Sequence, residues 1–329
     1  MNRSSSRKGS PERSLGINRM DTCEDSVFDC SVIIPSYNSE RTIRPCLDSV
    51  FGQKTSRRYE VWVADSSDDQ TPEIIQNEYP GVKLIRFPRK TNPGTARNAA
   101  VRVAKGKLLL FTDSDCILNP DWVELMSRAH RENDDSRIVG GAVVNGNPKT
   151  LSSTAGYLIE FSEYLPTMAP SVVPSLPTCN ISYRREIFEL YGGYDPDLYP
   201  QEDYFFHWRI SQAGEKIRFH PEIRVRHFHR ETLRGYFSHN FRFGIVTARV
   251  LKVTNLPGAF FVRRPSLAFV FLPFLPMIKF ARTCARIVRY APWAFRRPLV
   301  FPLILLGLLY WQAGFAQEVY RRKKGRHGF

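Results

Sequence analysis

Asp113 and Asp115 stand two residues apart at the end of the segment KGKLLLFTDSDC, directly after the apolar run Leu108 to Phe111. A short continuous apolar run after a glycine reads as a strand buried on both faces of a parallel sheet. Its carboxyl end is the edge where ligands bind in open α/β sheets, and residues i and i+2 of an extended chain point to one side. Two carboxylates aimed into one crevice offer hard oxygen ligands for Mg²⁺ or Mn²⁺, completed by water and the phosphates of a substrate. The chemistry this points to is a metal-assisted nucleotide site. Asp-x-Asp also occurs in ordinary loops, where Asp caps the next helix, so other segments must support the reading.

A sheet has to position those carboxylates, and from residue 29 the chain alternates strand and helix signals, as a parallel sheet covered on both faces does. Strands are predicted over Ser31 to Ile34, Glu60 to Ala64 (ended by Asp65), Val82 to Phe87 and Leu108 to Phe111. Helices are predicted over Thr42 to Phe51, over the segment opened by Pro72, and over the Ala-rich ARNAAVRVA after Asn92, Pro93 and Gly94. Asp121 to Glu132 predicts a helix and Arg137 to Val144 a strand, with Gly140, Gly141, Gly146 and Pro148 marking a break. Past a proline-rich loop stretch at 165–180, helices are predicted over Arg184 to Leu190 and Gln201 to Ala213, then a strand over Arg224 to His229.

At 43% hydrophobic residues the chain has ample material for a core, which excludes a disordered protein. Its formal charge of +15 implies an acidic partner: nucleic acid, anionic lipid or phosphorylated substrate. The six cysteines show neither Cys-x-x-Cys nor zinc-finger spacing and read as reduced thiols of a cytosol-facing protein. Residues 1–28, rich in Ser and Arg, read as a disordered basic tail without the apolar core of a signal peptide.

Residues 231–264 form a basic amphipathic region. Leu233, Tyr236, Phe237, Phe241 and Ile245 recur at helical steps among Arg234, Arg242 and Arg249, a pattern that suits either an anionic lipid surface or packing onto the globular domain. Residues 265–329 hold the hydrophobic membrane-associated segments and a basic tail. Leu299 to Ala316 carries no charge and reaches the length of a spanning helix, whereas Ser266 to Ile278 is shorter and holds Pro273 and Pro276, as a kinked span or an interfacial segment would. A re-entrant hairpin keeps both flanking basic clusters, Arg296-Arg297 and RRKKGR, on the cytosolic side.

SVIIPSYN (31–38), EVWVADSSDDQT (60–71), NPGTARNAA (92–100), LLLFTDSDC (108–116) and QEDYFFHWR (201–209) resemble, in order and spacing, the inverting family 2 glycosyltransferases. The resemblance covers residues 29–230 and implies a GT-A fold: an α/β domain with a mainly parallel nucleotide-binding sheet flanked by helices, here followed by C-terminal membrane-associated helices. It puts Pro35 and Tyr37 against the nucleotide base, Asp65 in the place of the base-reading acid, and Gly94 and Arg97 beside ribose and phosphates. Asp113 falls near the ribose or the metal, and Asp115 falls on the metal that bridges both phosphates. Asp203 matches the general base, Glu202 a supporting or acceptor-binding acid, and His227 a group that completes the metal shell or binds a phosphate oxygen. Two departures stand out. Many relatives have two adjacent acids where this chain has Ala64-Asp65, and the Gln-x-x-Arg-Trp motif of processive synthases is missing, with only HNFRFG (239–244) in that area.

The expected function is metal-dependent inverting transfer of a sugar from a nucleotide-diphosphate-sugar to a lipid-linked or glycan acceptor at the cytosolic face of the cytoplasmic membrane, with anionic lipids as surface partners. A nucleotidyltransferase-like enzyme is the alternative chemistry, but SVIIPSYNSE has no Gly or Lys for a phosphate loop. A non-catalytic basic adaptor of membrane or nucleic acid is the other; the acids in each crevice position would repel a phosphate backbone, so no nucleic-acid partner is expected.

Overall fold

The structure, a computed structural model, describes residues 28–133 and 135–321. The basic tail expected over residues 1–28 falls, up to residue 27, outside the described residues, as does the terminal basic cluster from residue 322 on.

Four parallel strands form the first half: β1 (Cys30–Ser36), β2 (Tyr59–Asp65), β3 (Val82–Arg86) and β4 (Leu108–Phe111), in spatial order 3-2-1-4. Helices α1 (Ile43–Phe51), α2 (Thr71–Glu78) and α3 (Pro93–Val103) connect them. β1 is buried along its whole length because its alternate residues feed two cores, Val32 and Ile34 on one face and Ile33 on the other. This two-sided burial is the reason its sequence reads as a continuous apolar run.

The second half is mixed. After β5 (Cys116–Leu118) and α4 (Trp122–Glu132) come β6 (Ile138–Asn145), α5 (Leu151–Phe161), β7 (Ser171–Val173), β8 (Ile181–Arg184), α6 (Glu186–Tyr191), α7 (Glu202–Ser211) and β9 (Ile217–His227). β8 joins the halves, running antiparallel to both β4 and β6, while β9 runs parallel to β6 and antiparallel to β5 and β7. Gly140 and Gly141, expected at a break, lie inside β6. A Cβ on Gly141 would sit 1.9 Å from the Ile223 carbonyl oxygen and one on Gly140 2.4 Å from that of Asn180, so close backbone approach, not a turn, requires them. The helix expected from Arg184 is preceded by β8, and β9 starts at Ile217 instead of Arg224.

The C-terminal region adds α8 (Leu233–Val253), α9 (Ala259–Arg263), α10 (Pro265–Phe271), α11 (Leu275–Tyr290) and α12 (Val300–Val319). Val300–Tyr320 is the one segment among the described residues long and apolar enough to cross a membrane by length and composition. One face of it is packed against the domain: Val300, Leu303, Ile304 and Leu308 join the same core as Tyr157 and Phe161 of α5. The other face leaves Leu306, Leu309 and Tyr310 exposed.

Small residues set the approach of α12 to α8. A Cβ on Gly244 would lie 1.8 Å from the Trp311 carbonyl oxygen, and one on Gly314 1.9 Å from that of Phe241. The Tyr236 hydroxyl donates to the Leu303 carbonyl at 2.9 Å one end further along. Gly314→Ala should therefore lower stability by roughly 1–3 kcal/mol, although alanine is the better helix former, because the added methyl forces the helices apart. The urea midpoint of the purified chain measures this; an unchanged or raised midpoint would contradict the close crossing.

Candidate functional site

The strand order reverses between β1 and β4, and the crevice of an open α/β sheet forms at that switch point, outside the carboxyl ends of the strands. A cavity of about 1240 Å³ opens there, with Pro35, Tyr37, Arg97, Asp113, Asp115, Glu202, Asp203 and His227 on its wall. Lys90 lies over the Tyr37 ring, its Nζ 4.0 Å from the centroid, at the outer edge.

Asp65 and Gly94 do not line this cavity. Asp65 is fully buried at the end of β2, where its carboxylate accepts from the Ser67 hydroxyl at 2.5 Å and the Ser67 N–H at 3.1 Å and pairs with Arg86. Its acceptor capacity is spent within the protein, and Arg86 stands on its outer side. A Cβ on Gly94 would lie 3.2 Å from Glu202 Cγ and 3.3 Å from Tyr194 Cβ, so the missing side chain admits the α7 region rather than a ligand.

Arg97, expected beside the phosphates, is 2% exposed. Its guanidinium donates to Asp113 Oδ1 at 2.6 Å and to Glu202 Oε1 at 2.9 Å, joining α3, the end of β4 and the start of α7. Neighbouring Asn98 fixes the same junction by bonding both the N–H and the carbonyl of Tyr194. Asp203 is held differently. It accepts from the Tyr204 N–H at 2.7 Å and the Thr178 N–H at 3.4 Å. Burial pushes the carboxyls of both Glu202 and Asp203 above their ordinary values, while Arg97 pulls the other way.

Pairing of β5 with β9 sets Cys116 opposite His227, which brings His227 Nε2 within 3.5 Å of Asp115 Oδ1. His227 Nδ1 is buried without a hydrogen-bond partner among the described residues. Ligand atoms of Asp115, Cys116 and His227 lie within 4.8 Å of one another, and burial pushes the Cys116 thiol well above its ordinary range, which disfavours its thiolate in the absence of a metal. The usable donors are a carboxylate oxygen and an imidazole, a set that suits a borderline divalent ion such as Mn²⁺. Asp113, with its Oδ1 turned to Arg97, stands apart from this pair.

Sequence reasoning missed a cationic wall. Glu160 of α5 lies 3.0 Å from His239 Nε2 and 3.9 Å from Arg230, and these three with Arg242 complete the cavity beyond the Asp115–His227 pair. His239 and Arg242 belong to HNFRFG, where the sequence showed only that a known motif was missing. Glu160 gave no signal, because α5 is buried on almost every side and lacks amphipathic spacing.

Residues 31–192 match the family described as Glycosyl transferase family 2. The chain is 24% identical over 225 residues to the pre-mycofactocin glycosyltransferase of Mycobacterium tuberculosis H37Rv, covering 66% of this chain and 46% of that protein. It is 30% identical over 164 residues to the succinoglycan biosynthesis protein ExoO of Rhizobium meliloti, covering 49% and 45%. The match thus spans about half the length of these relatives. Among solved structures, the mannosyltransferase PcManGT of Pyrobaculum calidifontis in complex with GDP-Man and Mn²⁺ superposes with a TM-score of 0.60 at 20% identity, covering 90% of this chain and 88% of that one. These likenesses give the fold: a GT-A α/β domain with a mostly parallel central sheet, as the sequence implied.

Removing Arg97 leaves two carboxylates without their cation. Arg97→Met is expected to cost about 3–5 kcal/mol in a urea titration, and Glu202→Gln in the same chain to recover part of it. Strictly additive effects would rule out the bridge as drawn.

Proposed function

Because the chain carries a glycosyl transferase family 2 domain on a GT-A fold, we propose that it is an inverting, divalent-metal-dependent glycosyltransferase. It takes a sugar from a nucleotide-diphosphate-sugar and passes it to a lipid-linked or glycan acceptor at the cytosolic face of a membrane. The observation that carries this reading is that Asp115, His227 and Asp203 all open onto one cavity. At about 1240 Å³ that cavity exceeds the usual size of a single small-ligand site, so donor and acceptor fit together.

Pro35 and Tyr37 flank the place for the base, next to the β1–β4 switch point. Asp115 and His227 would hold Mg²⁺ or Mn²⁺, and the ion, when bound, supplies positive charge that offsets the charge growing on the leaving diphosphate. Arg230 and Arg242 face the same region and add to that field. The Asp203 carboxylate takes the proton from the acceptor hydroxyl. The acceptor oxygen then bonds to the anomeric carbon, the bond from that carbon to the diphosphate breaks, and the electron pair leaves with the nucleoside diphosphate. Attack opposite the leaving group inverts the configuration.

Seating at a membrane is supported by the exposed side chains of α10, of the short turn at 272–274 and of α11. Phe269, Phe271, Phe274 and Met277 are outward-facing, and Arg263, Arg264 and Arg289 stand exposed nearby. An apolar surface bordered by cations suits the headgroup boundary of an anionic bilayer.

Asp203→Asn should lower kcat by roughly 10²–10⁴ and leave donor binding intact. Donor binding is read separately as the melting-temperature rise with Mn²⁺ and nucleoside diphosphates; that rise should disappear in Asp115→Ala. Normal turnover by the Asp203→Asn chain would remove this residue from the chemistry. The base acts ionised, and its folded-state pKa is raised, so activity should fall as pH drops through a value above the ordinary Asp range near ~4. A kcat profile flat down to that range would contradict the assignment.

A further inference from the structure

The cavity continues past Asp203 into the C-terminal helices, where its character changes. Leu251, Phe261, Leu275 and Phe315 provide an apolar wall drawn from α8, α9, α11 and α12. Such a wall cannot satisfy the hydroxyls of a glycan, and burying them unpaired is costly, whereas it accepts hydrocarbon readily.

Two cations line the same cavity as this wall and Asp203. Lys279 of α11 is half-buried, with its Nζ 4.0 Å from the centre of the Trp311 ring. Arg282 lies three residues on, hence on the same helix face, and also lines the cavity. Neither has a carboxylate within ion-pair distance among the described residues; the nearby Glu163 is paired with Arg286 instead. A half-buried ammonium whose one close partner is an aromatic face retains most of its capacity for an anion. Ile278, next to Lys279, both lines the cavity and is 54% exposed, which marks the mouth. That mouth opens on the side of α11 where Phe274 and Met277 are exposed, the face given above to the membrane.

We propose that this end of the cavity is the acceptor subsite and that the acceptor is a phosphate-linked lipid with a hydroxyl on its headgroup. Its phosphate lies at Lys279 and Arg282, its hydrocarbon runs along the Leu251–Phe315 wall, and its hydroxyl reaches Asp203. The proposal rests on the glycosyltransferase reading and selects the lipid over the soluble glycan. Hydroxyl, phosphate and hydrocarbon occur together both in polyol-headed glycerophospholipids and in isoprenoid-phosphate-linked sugars.

The test uses the full chain in detergent and two short-chain soluble probes, dihexanoyl phosphatidylinositol and a citronellyl diphosphoryl sugar, with dihexanoylglycerol as the neutral control. Binding is read by tryptophan fluorescence. At least one phosphate-bearing probe should bind wild type and bind roughly ten- to a hundredfold more weakly to the K279M/R282M double variant, while the Mn²⁺-nucleotide melting shift is kept. Whichever probe binds and receives label from the donor identifies the source of the lipid. Leu251→Trp, which blocks the wall and leaves both cations in place, should also weaken binding and keeps the test open if the double variant fails to fold. Equal binding of the neutral control, indifference to both variants, or efficient transfer to a soluble oligosaccharide alone would overturn the proposal. A wild-type chain that binds the lipid probe but no nucleotide would instead overturn the glycosyltransferase reading.

Discussion

The site depends on one buried guanidinium. Arg97 is almost without solvent, and it is the group that holds Asp113 at the end of β4 and Glu202 at the start of α7 in a single arrangement. Two carboxylates meet at this guanidinium, and without a cation between them their mutual repulsion and desolvation would open the junction between the parallel half and the mixed half. Asn98 on the same helix and Gly94 against Glu202 serve the same junction. The α3 segment NPGTARNAA thus helps to assemble the crevice that Asn92, Pro93, Ala96 and Arg97 also line.

A second constraint ties the C-terminal helices to the same helix α7. Gln201, directly before Glu202, donates through Nε2 to the Thr247 hydroxyl at 2.6 Å and to the Phe243 carbonyl at 3.2 Å. Trp311 Nε1 donates to the same hydroxyl at 3.2 Å. This chain of bonds runs from α12 through α8 to the residue ahead of the two acids, and the glycine contacts between α8 and α12 fix its register. The helix that composition marks as a membrane segment is thus also a structural support of the acids, which is why its inner face is packed against the domain. Membrane seating and alignment of the acids draw on the same helix pair.

Much of the first half was legible because its signals are local. The apolar runs of β1, β2 and β4, Pro72 at the start of α2 and the Asn92 cap of α3 each act within a few residues. What the sequence concealed depends on pairing across long separations. β8 is four residues long, lies between the loop stretch and the helix predicted from Arg184, and is a strand only because β4 and β6 pair with it on either side. Gly140-Gly141 looks like a chain break because the backbone of Ile223 that needs the space is about eighty residues away. Asp65 stands where the family pattern expected it, yet Arg86, one strand over, takes its carboxylate. The cations of α8 were visible only as an amphipathic charge pattern, since which of them faces the cavity depends on how α8 packs against α12.

The adjacent acids Glu202 and Asp203 illustrate how one local sequence yields two environments. Both lie in the first turn of α7, where the helix dipole favours their ionised forms equally. Successive helical residues point about 100° apart, so Glu202 turns inward to Arg97 and Asp203 turns toward the cavity. The cation is thereby absorbed by the acid that does not need to take up a proton. Among the described residues Asp203 has only backbone N–H partners, at 2.7 Å and 3.4 Å, and burial raises its proton affinity by more than the field of Arg97 lowers it. Exchanging the two would couple the proposed base to a guanidinium and lower its basicity, while leaving the junction's carboxylate in the solvent-accessible crevice. Order within the pair therefore matters as much as its composition, because this order pairs Arg97 with Glu202 and leaves the acceptor a base able to take a proton.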